Sequence, residues 1–381
     1  MLPRPDRSGV YVHIPFCAAR CDYCDFATWT DRGHLVDAYV DACARDLRQR
    51  DLAPVDTVFF GGGTPSLLAA SQLTSILDVI PRASDAEVTV ECNPDSVDVE
   101  KLRAYAAAGV NRLSFGVQSM RPHVLVALGR THDPDNVARA VDAARAAGID
   151  RYNVDLIYGT PGETVDDWAA TLDAALALDP GHVSAYALTV EAGTPLGKAV
   201  SAGERAAPDD DDQAEKYELA DDCLTATGRP WYEVSNWARP GEECRHNLLY
   251  WRGGDYTAVG CAGHGHTAGR RWWNVRTPER YVEAITTGRS AEAGEETLDP
   301  RARVAEATML GLRTAAGIKL PVSGADPLRV DACLADLSAA GLLECGGDRA
   351  VLTRRGRLLG NEVATRLMAA LDRPTVRAGT R

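Results

Sequence analysis

The sequence predicts an α/β protein: a partial, open (β/α)6 barrel of the TIM type, joined to a mainly helical C-terminal domain of winged-helix-like pattern. Three observations lead there. Short β-rich runs alternate with longer amphipathic runs about six times in the first half of the chain, as in a parallel sheet with helical crossovers. Polar and glycine-rich residues collect where the β-rich runs end, at residues 61–64, Glu91, Gln118 and Asp155, and such ends form the working face of a β/α barrel. Six units rather than eight leave the barrel open.

The elements follow in order. GVYVHI (residues 9–14) reads as the first strand, with a helix over residues 35–48. VDTVFF (55–60) is the second strand and ends in GGGTPS; SQLTSILDVI is helical, and EVTVEC (87–92) is the third strand. VEKLRAYAAAG is a helix stopped by Gly109, a C′ glycine. NRLSFGVQS, a helix near residues 136–147 and RYNVDLIYG continue the alternation. Thr164 and Asp167 are spaced for a capping box, and HVSAYALTV closes the series. Residues 201–213 carry four consecutive aspartates and read as a solvated loop or helix start. From Trp231 the texture turns to aromatic residues, His and Gly; after Pro300 it is helix, turn, strand, Gly-Gly-Asp turn, strand, helix. The expected domains are 1–240, the barrel; 241–300, a connecting region; and 301–381, the C-terminal domain.

Composition narrows the function. The 381 residues are 45% apolar, enough for a large core. A net charge of -13 argues against binding nucleic acid, which needs a basic stripe, even though winged-helix-like units often serve that end. The start MLPRPDRSGV lacks an apolar signal core, and no run approaches about 18 apolar residues. A cytoplasmic protein with no transmembrane segment is expected. In a reducing compartment clustered cysteines serve as ligands or catalysts. Seven of the ten (Cys43, Cys92, Cys223, Cys244, Cys261, Cys333, Cys345) are scattered and read as small buried hydrophobes.

The other three lie close together in PFCAARCDYCDF: Cys17, Cys21 and Cys24. The spacing Cys-x3-Cys-x2-Cys differs from paired zinc motifs, which need a second pair downstream; a zinc site here would need His13 as its fourth ligand. Three thiolates can instead hold a [4Fe–4S] cluster by three irons and leave the fourth open. The loop directly follows the first strand, on the working face. GGGTP, ending the second strand, lets backbone N–H groups approach a ligand.

On these residues the chain resembles the radical SAM superfamily, whose cluster motif is this one, commonly with an aromatic before the third cysteine, as Tyr23 stands here. The resemblance implies an open barrel of the radical SAM kind and a [4Fe–4S] cluster on Cys17, Cys21 and Cys24. It also implies S-adenosylmethionine (SAM) chelating the open iron, and reductive cleavage to a 5′-deoxyadenosyl radical as the chemistry. It narrows further. HIPFC, FFGGGTPS, ECNPD, RLSFGVQS, GRTH, NVDLIYGTPGET and EVSNWA, in that order, look like the HemN/HemW group of oxygen-independent coproporphyrinogen III oxidases and related haem chaperones. By motif, Tyr11 and Tyr23 would lie beside SAM, and Gly62, Gly63 and Thr64 along its methionine part. Glu91, Gln118, Arg130 and Asp155 would meet its polar groups, Arg130 toward a carboxylate and Asp155 toward ribose hydroxyls. Ala187 would line the adenine side. The bland alternative for Arg130 and Asp155 is a structural ion pair.

Two departures separate this chain from the oxidases. Their motif carries a further cysteine where Phe26 stands, and they have a longer N-terminal arm; only about ten residues precede the first strand here. HNLLYW (residues 246–251) matches the HNxxYW pattern of the haem-chaperone branch. Its imidazole, His246, suits haem iron, and Tyr250 and Trp251 offer flat faces to a macrocycle. VGCAGHGH adds Cys261, His264 and His266 as further ligand candidates. The expectation is a haem chaperone binding haem, cluster and SAM, with an acceptor haemoprotein and a small electron-donor protein as partners; a homodimer and any turnover of SAM stay open. The alternative is an oxygen-independent coproporphyrinogen III oxidase.

Overall fold

The computed structural model describes residues 8–130, 133–322 and 326–371; Thr131 and His132 of the GRTH segment lie outside them. The chain forms two compact units. The first comprises Met1–Pro230, Ser235–Leu249 and Gly254–Glu296; the second comprises Trp231–Val234, Tyr250–Gly253 and Thr297–Arg381.

In the first unit the alternation read from the sequence is present. Strands β1 (Ser8–Ile14), β2 (Val55–Gly62), β3 (Arg82–Cys92), β4 (Arg112–Gln118), β5 (Tyr152–Tyr158) and β6 (His182–Ala187) pair in parallel, each with the next. Helices α1 (Val36–Gln49), α2 (Ala70–Leu77), α3 (Val99–Ala107), α4 (Pro122–Ala127), α5 (Pro134–Ala146) and α6 (Val165–Ala177) make the crossovers. The expected Thr164–Asp167 cap forms: Asp167 N–H donates to Thr164 Oγ1 at 3.1 Å, and Thr164 N–H donates to Asp167 Oδ2 at 3.1 Å. Two further helices, α7 (Pro195–Ser201) and α8 (Asp210–Ala226), follow β6. The aspartate run starts α8, with Asp209 as its N-cap and three acidic residues in the first turn, where the helix dipole favours them.

The later strands are β7 (Trp231–Glu233), counted with the second unit, β8 (Asn236–Ala238), β9 (Asp255–Val259), β10 (His264–Thr267), β11 (Arg270–Asn274) and β12 (Glu292–Thr297). Helix α9 (Arg245–Trp251) precedes β9, and α10 (Pro278–Thr286) follows β11. Across the first unit the strand order is β12-β11-β10-β9-β1-β2-β3-β4-β5-β6-β8. The sheet does not close. Beside β1 lies β9, parallel to it, and beside β6 lies β8, antiparallel. Residues 255–274 thus extend the main sheet.

The two faces of this sheet differ. Val10, Val12, Val58, Phe60, Val88, Val90, Leu113, Phe115, Val154 and Leu156 alternate along the strands toward the helices, and all are buried. The register places Tyr11 with Phe59, Phe59 with Thr89, Glu91 with Ser114, Asn153 with His182 and Asp155 with Ser184 on the opposite, concave face. Parallel strands covered on both faces usually read as continuous apolar runs. Here the inner positions are polar, and they bond to one another. Asn153 Nδ2 donates to Ser114 Oγ at 2.7 Å and to Ser184 Oγ at 3.0 Å, and His182 Nδ1 lies 2.6 Å from Asn153 Oδ1.

The second unit has its own core, including Leu312, Val330, Leu337, Leu352, Val363 and Leu367. Helices α11 (Pro300–Leu312), α12 (Pro327–Ala339) and α14 (Gly360–Leu371), with the short α13 (Arg354–Leu358), pack with a small antiparallel sheet. That sheet has the order β13-β15-β14, from Ile318–Lys319, Arg349–Leu352 and Leu343–Gly346. Arg357 lies over the Trp231 ring, 4.4 Å from its centroid.

One buried ion pair fixes the turn after β5. Lys216 Nζ donates to the Glu163 carbonyl at 2.7 Å and to Asp212 Oδ2 at 2.7 Å, and lies 3.5 Å from Glu163 Oε2. Glu163 Oε2 in turn accepts Gly159 N–H at 2.8 Å. Removing one partner of such a pair leaves the other uncompensated. Lys216→Met should therefore lower the unfolding free energy by about 3 kcal/mol, read as a lower denaturant midpoint at unchanged slope. A wild-type midpoint would show the pair to be energetically neutral.

Candidate functional site

The cysteine loop leaves β1 and is pinned at several points. Phe16 and Trp29 form a β-bridge at its base; Trp29 N–H donates to Pro15 O at 2.7 Å and Cys17 N–H to Trp29 O at 3.0 Å. His13 Nε2 lies 2.9 Å from Ala27 O, and Tyr11 Oη lies 3.1 Å from His13 Nδ1. At mid-loop, Asp22 N–H donates to Leu128 O at 3.3 Å, and Leu196 N–H donates to Asp22 O at 2.9 Å. Tyr23 packs against the apolar group of Val124, Leu128, Ile157, Leu188 and Leu196. Phe26 is 67% exposed.

All three thiols are free and half-buried. Burial raises the pKa of Cys17 and Cys24, which disfavours their thiolates unless a cation lies close by. The Thr64 hydroxyl donates to Cys17 Sγ at 3.7 Å, and Arg130 Nη1 donates to Cys21 Sγ at 3.4 Å. A zinc site using His13 does not fit, because both its ring nitrogens are engaged. Among the described residues no three His, Cys, Asp or Glu donors converge on a single-ion site. A cube-shaped cluster, with its irons apart, asks the thiolates to stand apart.

The glycines bring backbone against the loop. Gly63 N–H donates to Ile14 O at 2.7 Å and Thr64 N–H to Phe16 O at 2.8 Å. A Cβ at Gly63 would lie 2.7 Å from Phe16 O, 2.9 Å from Ile14 O and 3.0 Å from Cys17 Sγ. Gly62 has φ +111, a left-handed conformation that a side chain disfavours, and its N–H donates to Glu91 Oε2 at 3.1 Å. Gln118, ending β4, also sits at positive φ, +65.

Glu91 and Asp155 are half-buried on the concave face. Burial first, and then the charge of Asp155, push the Glu91 carboxyl up to about 8; the Gly62 N–H opposes this. Burial likewise raises Asp155, against hydrogen bonds from Ser184, Ser114 and Asn153. Ser114 Oγ donates to Asp155 Oδ2 at 2.8 Å, and Asn153 Nδ2 to Oδ1 at 2.7 Å. Arg130 Nη2 donates to Gly116 O at 2.6 Å, while its buried Nε has no partner among the described residues. Arg130 and Asp155 thus have separate partners, and the ion-pair alternative gains no support. Three free thiols on one loop, a glycine-lined edge, a half-buried guanidinium whose Nε has no partner among the described residues and two half-buried carboxyls form a donor set that fits a cluster and a zwitterionic ligand. Ala187 ends β6, opposite Tyr158, and is exposed.

The haem candidates are placed differently. His246 begins α9 and is 1% exposed. Its Nδ1 lies 2.8 Å from Thr57 Oγ1, its ring stacks on Phe59 with centroids 5.3 Å apart, and its N–H donates to Glu87 Oε1 at 3.2 Å. Burial lowers its pKa to about 3. Thr57 is paired with Gly9, near the start of β1, whereas the cysteine loop leaves its end. At about 3.3 Å per residue, the five residues from Gly9 to Ile14 span about 17 Å. The structure therefore does not bring His246 to the cysteines. Cys261 is buried, its N–H donates to Tyr39 Oη at 2.8 Å, and burial pushes its thiol up to about 12. His266 has Nδ1 2.9 Å from Gly254 O, and its Nε2 accepts Gly269 N–H at 3.2 Å. His264 is exposed and stacks on Trp273, centroids 6.1 Å apart.

Sequence reasoning missed Ser114, Asn153 and Ser184, which hold Asp155, and Phe59, which joins Tyr11 to His246. The strict polar–apolar alternation of EVTVEC and YNVDL carried that signal. It marks strands whose inner face is polar.

Comparison with known proteins agrees with these features. A Radical SAM superfamily model matches residues 11–175, and a HemN C-terminal domain model matches residues 298–359. A protein named heme chaperone HemW from Mycobacterium tuberculosis (strain H37Rv) is 46% identical, over 97% of this chain and 97% of that one. Its namesake in Bacillus subtilis is 34% identical, over 93% and 97%. Among solved structures, the coproporphyrinogen III oxidase HemN of Escherichia coli superposes with a TM-score of 0.82 over 95% of this chain and 90% of that one. At 22% identity that likeness concerns the fold.

Two outcomes follow for the site. Gly63→Ala should abolish iron and sulfide loading, because its Cβ meets two fixed carbonyls beside Cys17; wild-type cluster absorbance would show that the loop yields. Glu91 gives a pH dependence. Its carboxyl is raised in the fold, so stability is full below its unfolded value, near 4.5, and is lost as pH rises toward about 8. In ligand-free protein, Glu91→Gln should flatten the fall in Tm between about pH 5 and about pH 8. Equal slopes in both proteins would remove Glu91 as the titrating group.

Proposed function

The chain belongs to the radical SAM superfamily, in the family whose members are named heme chaperone HemW, and from that premise we propose that it binds haem and passes it to an acceptor haemoprotein. The observation that carries this reading is identity along almost the whole chain, 46% over 97% of it. Phe26 supports it, since an exposed phenylalanine stands where the oxidase motif has a further cysteine.

In this reading Cys17, Cys21 and Cys24 hold a [4Fe–4S] cluster and the adjoining strand ends hold SAM. When bound, the two together supply one-electron reductive chemistry. The chain's own residues orient the ligand. Arg130, anchored on Gly116 O, offers its unpartnered Nε to the carboxylate of SAM. Glu91 and Gln118 receive the amino end. Gly62, Gly63 and Thr64 give it backbone to lie along. Asp155, fixed by Ser114 and Asn153, accepts from ribose hydroxyls. Tyr11, Tyr23 and Ala187 enclose the apolar parts. Burial of the carboxyls lets a cationic ligand recover charge pairing that water does not provide there.

The partners in this reading are haem, an acceptor haemoprotein and a small electron-donor protein, with no nucleic acid; a homodimer is compatible with it. The net charge of -13 suits steering toward a basic acceptor. Among the described residues no helix is long and apolar enough to cross a membrane.

The test is an anaerobic haem titration of the cluster-loaded protein, run beside product analysis with coproporphyrinogen III. Saturable binding near one haem per chain, without protoporphyrinogen formation, is expected. Robust protoporphyrinogen formation would overturn the chaperone reading in favour of the oxidase. Absence of saturable haem binding would overturn it too.

A further inference from the structure

Asn153 stands where two rows of polar side chains cross on the concave face. Ser114, Asn153 and His182 are paired directly across β4, β5 and β6, and Asp155 and Ser184 form the next row, two residues on. Directly paired residues share a face, and so do residues two apart, so the other four side chains converge on Asn153. Ser114, Asn153, His182 and Ser184 are each no more than 5% exposed. A hydrogen bond lost there has no water to replace it.

These bonds have a direction, and it is set at one end. Asn153 Nδ2 lies 2.7 Å from Asp155 Oδ1, and Asn153 Oδ1 lies 2.6 Å from His182 Nδ1. While Asp155 is a carboxylate the amide can point only this way. Reversed, it would set its carbonyl oxygen against a carboxylate oxygen, acceptor against acceptor. With the amide as found, a bare Nδ1 would face the amide oxygen lone pair to lone pair, so His182 carries its proton on Nδ1. The reverse setting is also consistent: a proton on Asp155 donates to the amide oxygen, the amide donates to His182 Nδ1, and the His182 proton sits on Nε2. A neutral imidazole holds one ring proton, and burial, with the charges of Arg112 and Arg151, keeps His182 neutral. The place of that proton and the state of the Asp155 carboxyl are therefore a single choice.

The neighbours side with the ionised setting. Ser114 Oγ donates to Asp155 Oδ2 at 2.8 Å, Asn153 donates to Oδ1, and Ser184 adds a third hydrogen bond. In that setting both oxygens of Asp155 only accept, which is what donating ribose hydroxyls require.

We propose that His182 is a positioning residue for SAM: with its proton on Nδ1 it locks the Asn153 amide, and the amide holds Asp155 as a carboxylate turned to the ribose hydroxyls. This rests on the reading in which Asp155 meets the ribose of SAM, and deepens it. His182 opens β6 behind Asn153 and acts only through that amide.

The test is calorimetry of SAM binding to the cluster-loaded protein under anaerobic conditions. It compares wild type with His182→Asn, His182→Phe, Asp155→Ala and the double variant Asp155→Ala/His182→Phe. The amide nitrogen of an asparagine takes the place of Nδ1, so His182→Asn should keep wild-type affinity. His182→Phe keeps a ring but loses the donor, and should weaken SAM binding about tenfold. In the Asp155→Ala background it should add nothing, because the relay ends at Asp155. Wild-type affinity in a folded His182→Phe protein would overturn the proposal, as would a His182→Asn protein as weak as His182→Phe. An equal loss in the Asp155→Ala background would overturn it too, since it would show a general effect on the fold. If His182→Phe does not fold, the tautomer decides. ¹⁵N-histidine NMR of the cluster-loaded wild type should show His182, identified by its absence in His182→Asn, with its proton on Nδ1; a proton on Nε2 would overturn the proposal. Wild-type affinity in Asp155→Ala would overturn the ribose contact and this assignment with it, while the haem-chaperone reading would stand. A wild type that takes up its cluster but binds no SAM would do the same.

Discussion

The parallel register of β1 to β6 is the constraint on which the rest depends. Parallel strands joined by helical crossovers all end at one edge of the sheet. Gly62, Glu91, Gln118 and Asp155 come from four strands; Gly62 and Gln118 end theirs, Glu91 is next to last in its own, and Asp155 lies three residues before the end of β5, so the parallel register gathers them toward one edge. The cysteine loop joins them because it leaves β1 at the same edge and is stitched to β2 by Gly63 and Thr64. A one-residue slip in any pairing would turn the inward residues outward and dissolve the set.

The concave face shows how a polar interior can be kept. Buried polar groups destabilise unless bonded, and here they are bonded chiefly to one another. Asn153 is the hub, with Ser114, Asp155, Ser184 and His182 around it. Glu87 does similar work at the other end of the strands. It accepts from Arg151 at 3.1 Å and from the first N–H groups of α9, and so ties the HNLLYW helix to the sheet. At the strand-end edge the Arg130 Nε has no partner among the described residues, and on the same face of β3 the Thr89 hydroxyl has none either.

Much of this was legible in the sequence. The six-unit alternation, the open barrel, the Thr164–Asp167 cap and the aspartate-led start of α8 all follow from local rules. So does the placement of the cysteine loop after the first strand. What sequence reasoning could not reach is long-range. HNLLYW reads as a haem site because histidine and aromatics suit a macrocycle, yet Glu87, more than 150 residues earlier, draws its first turn into the core. The pairing of β9 with β1 was equally hidden, since it joins residues 8–12 to residues 255–259. The polar inner face lay open in the alternation of β3 and β5.

The Phe16–Trp29 bridge has an effect on the order of assembly. Closing residues 17–28 into a loop costs conformational entropy on the order of 2 kcal/mol. The protein meets that cost as it folds, through backbone hydrogen bonds that involve no thiol. In small zinc domains the metal supplies the folding free energy, and the chain has no form before it arrives. In the proposed reading the first thiolate to capture iron would find the other two on the same pinned loop, at high effective concentration. The pinned loop would then be a receptor onto which a cluster is delivered.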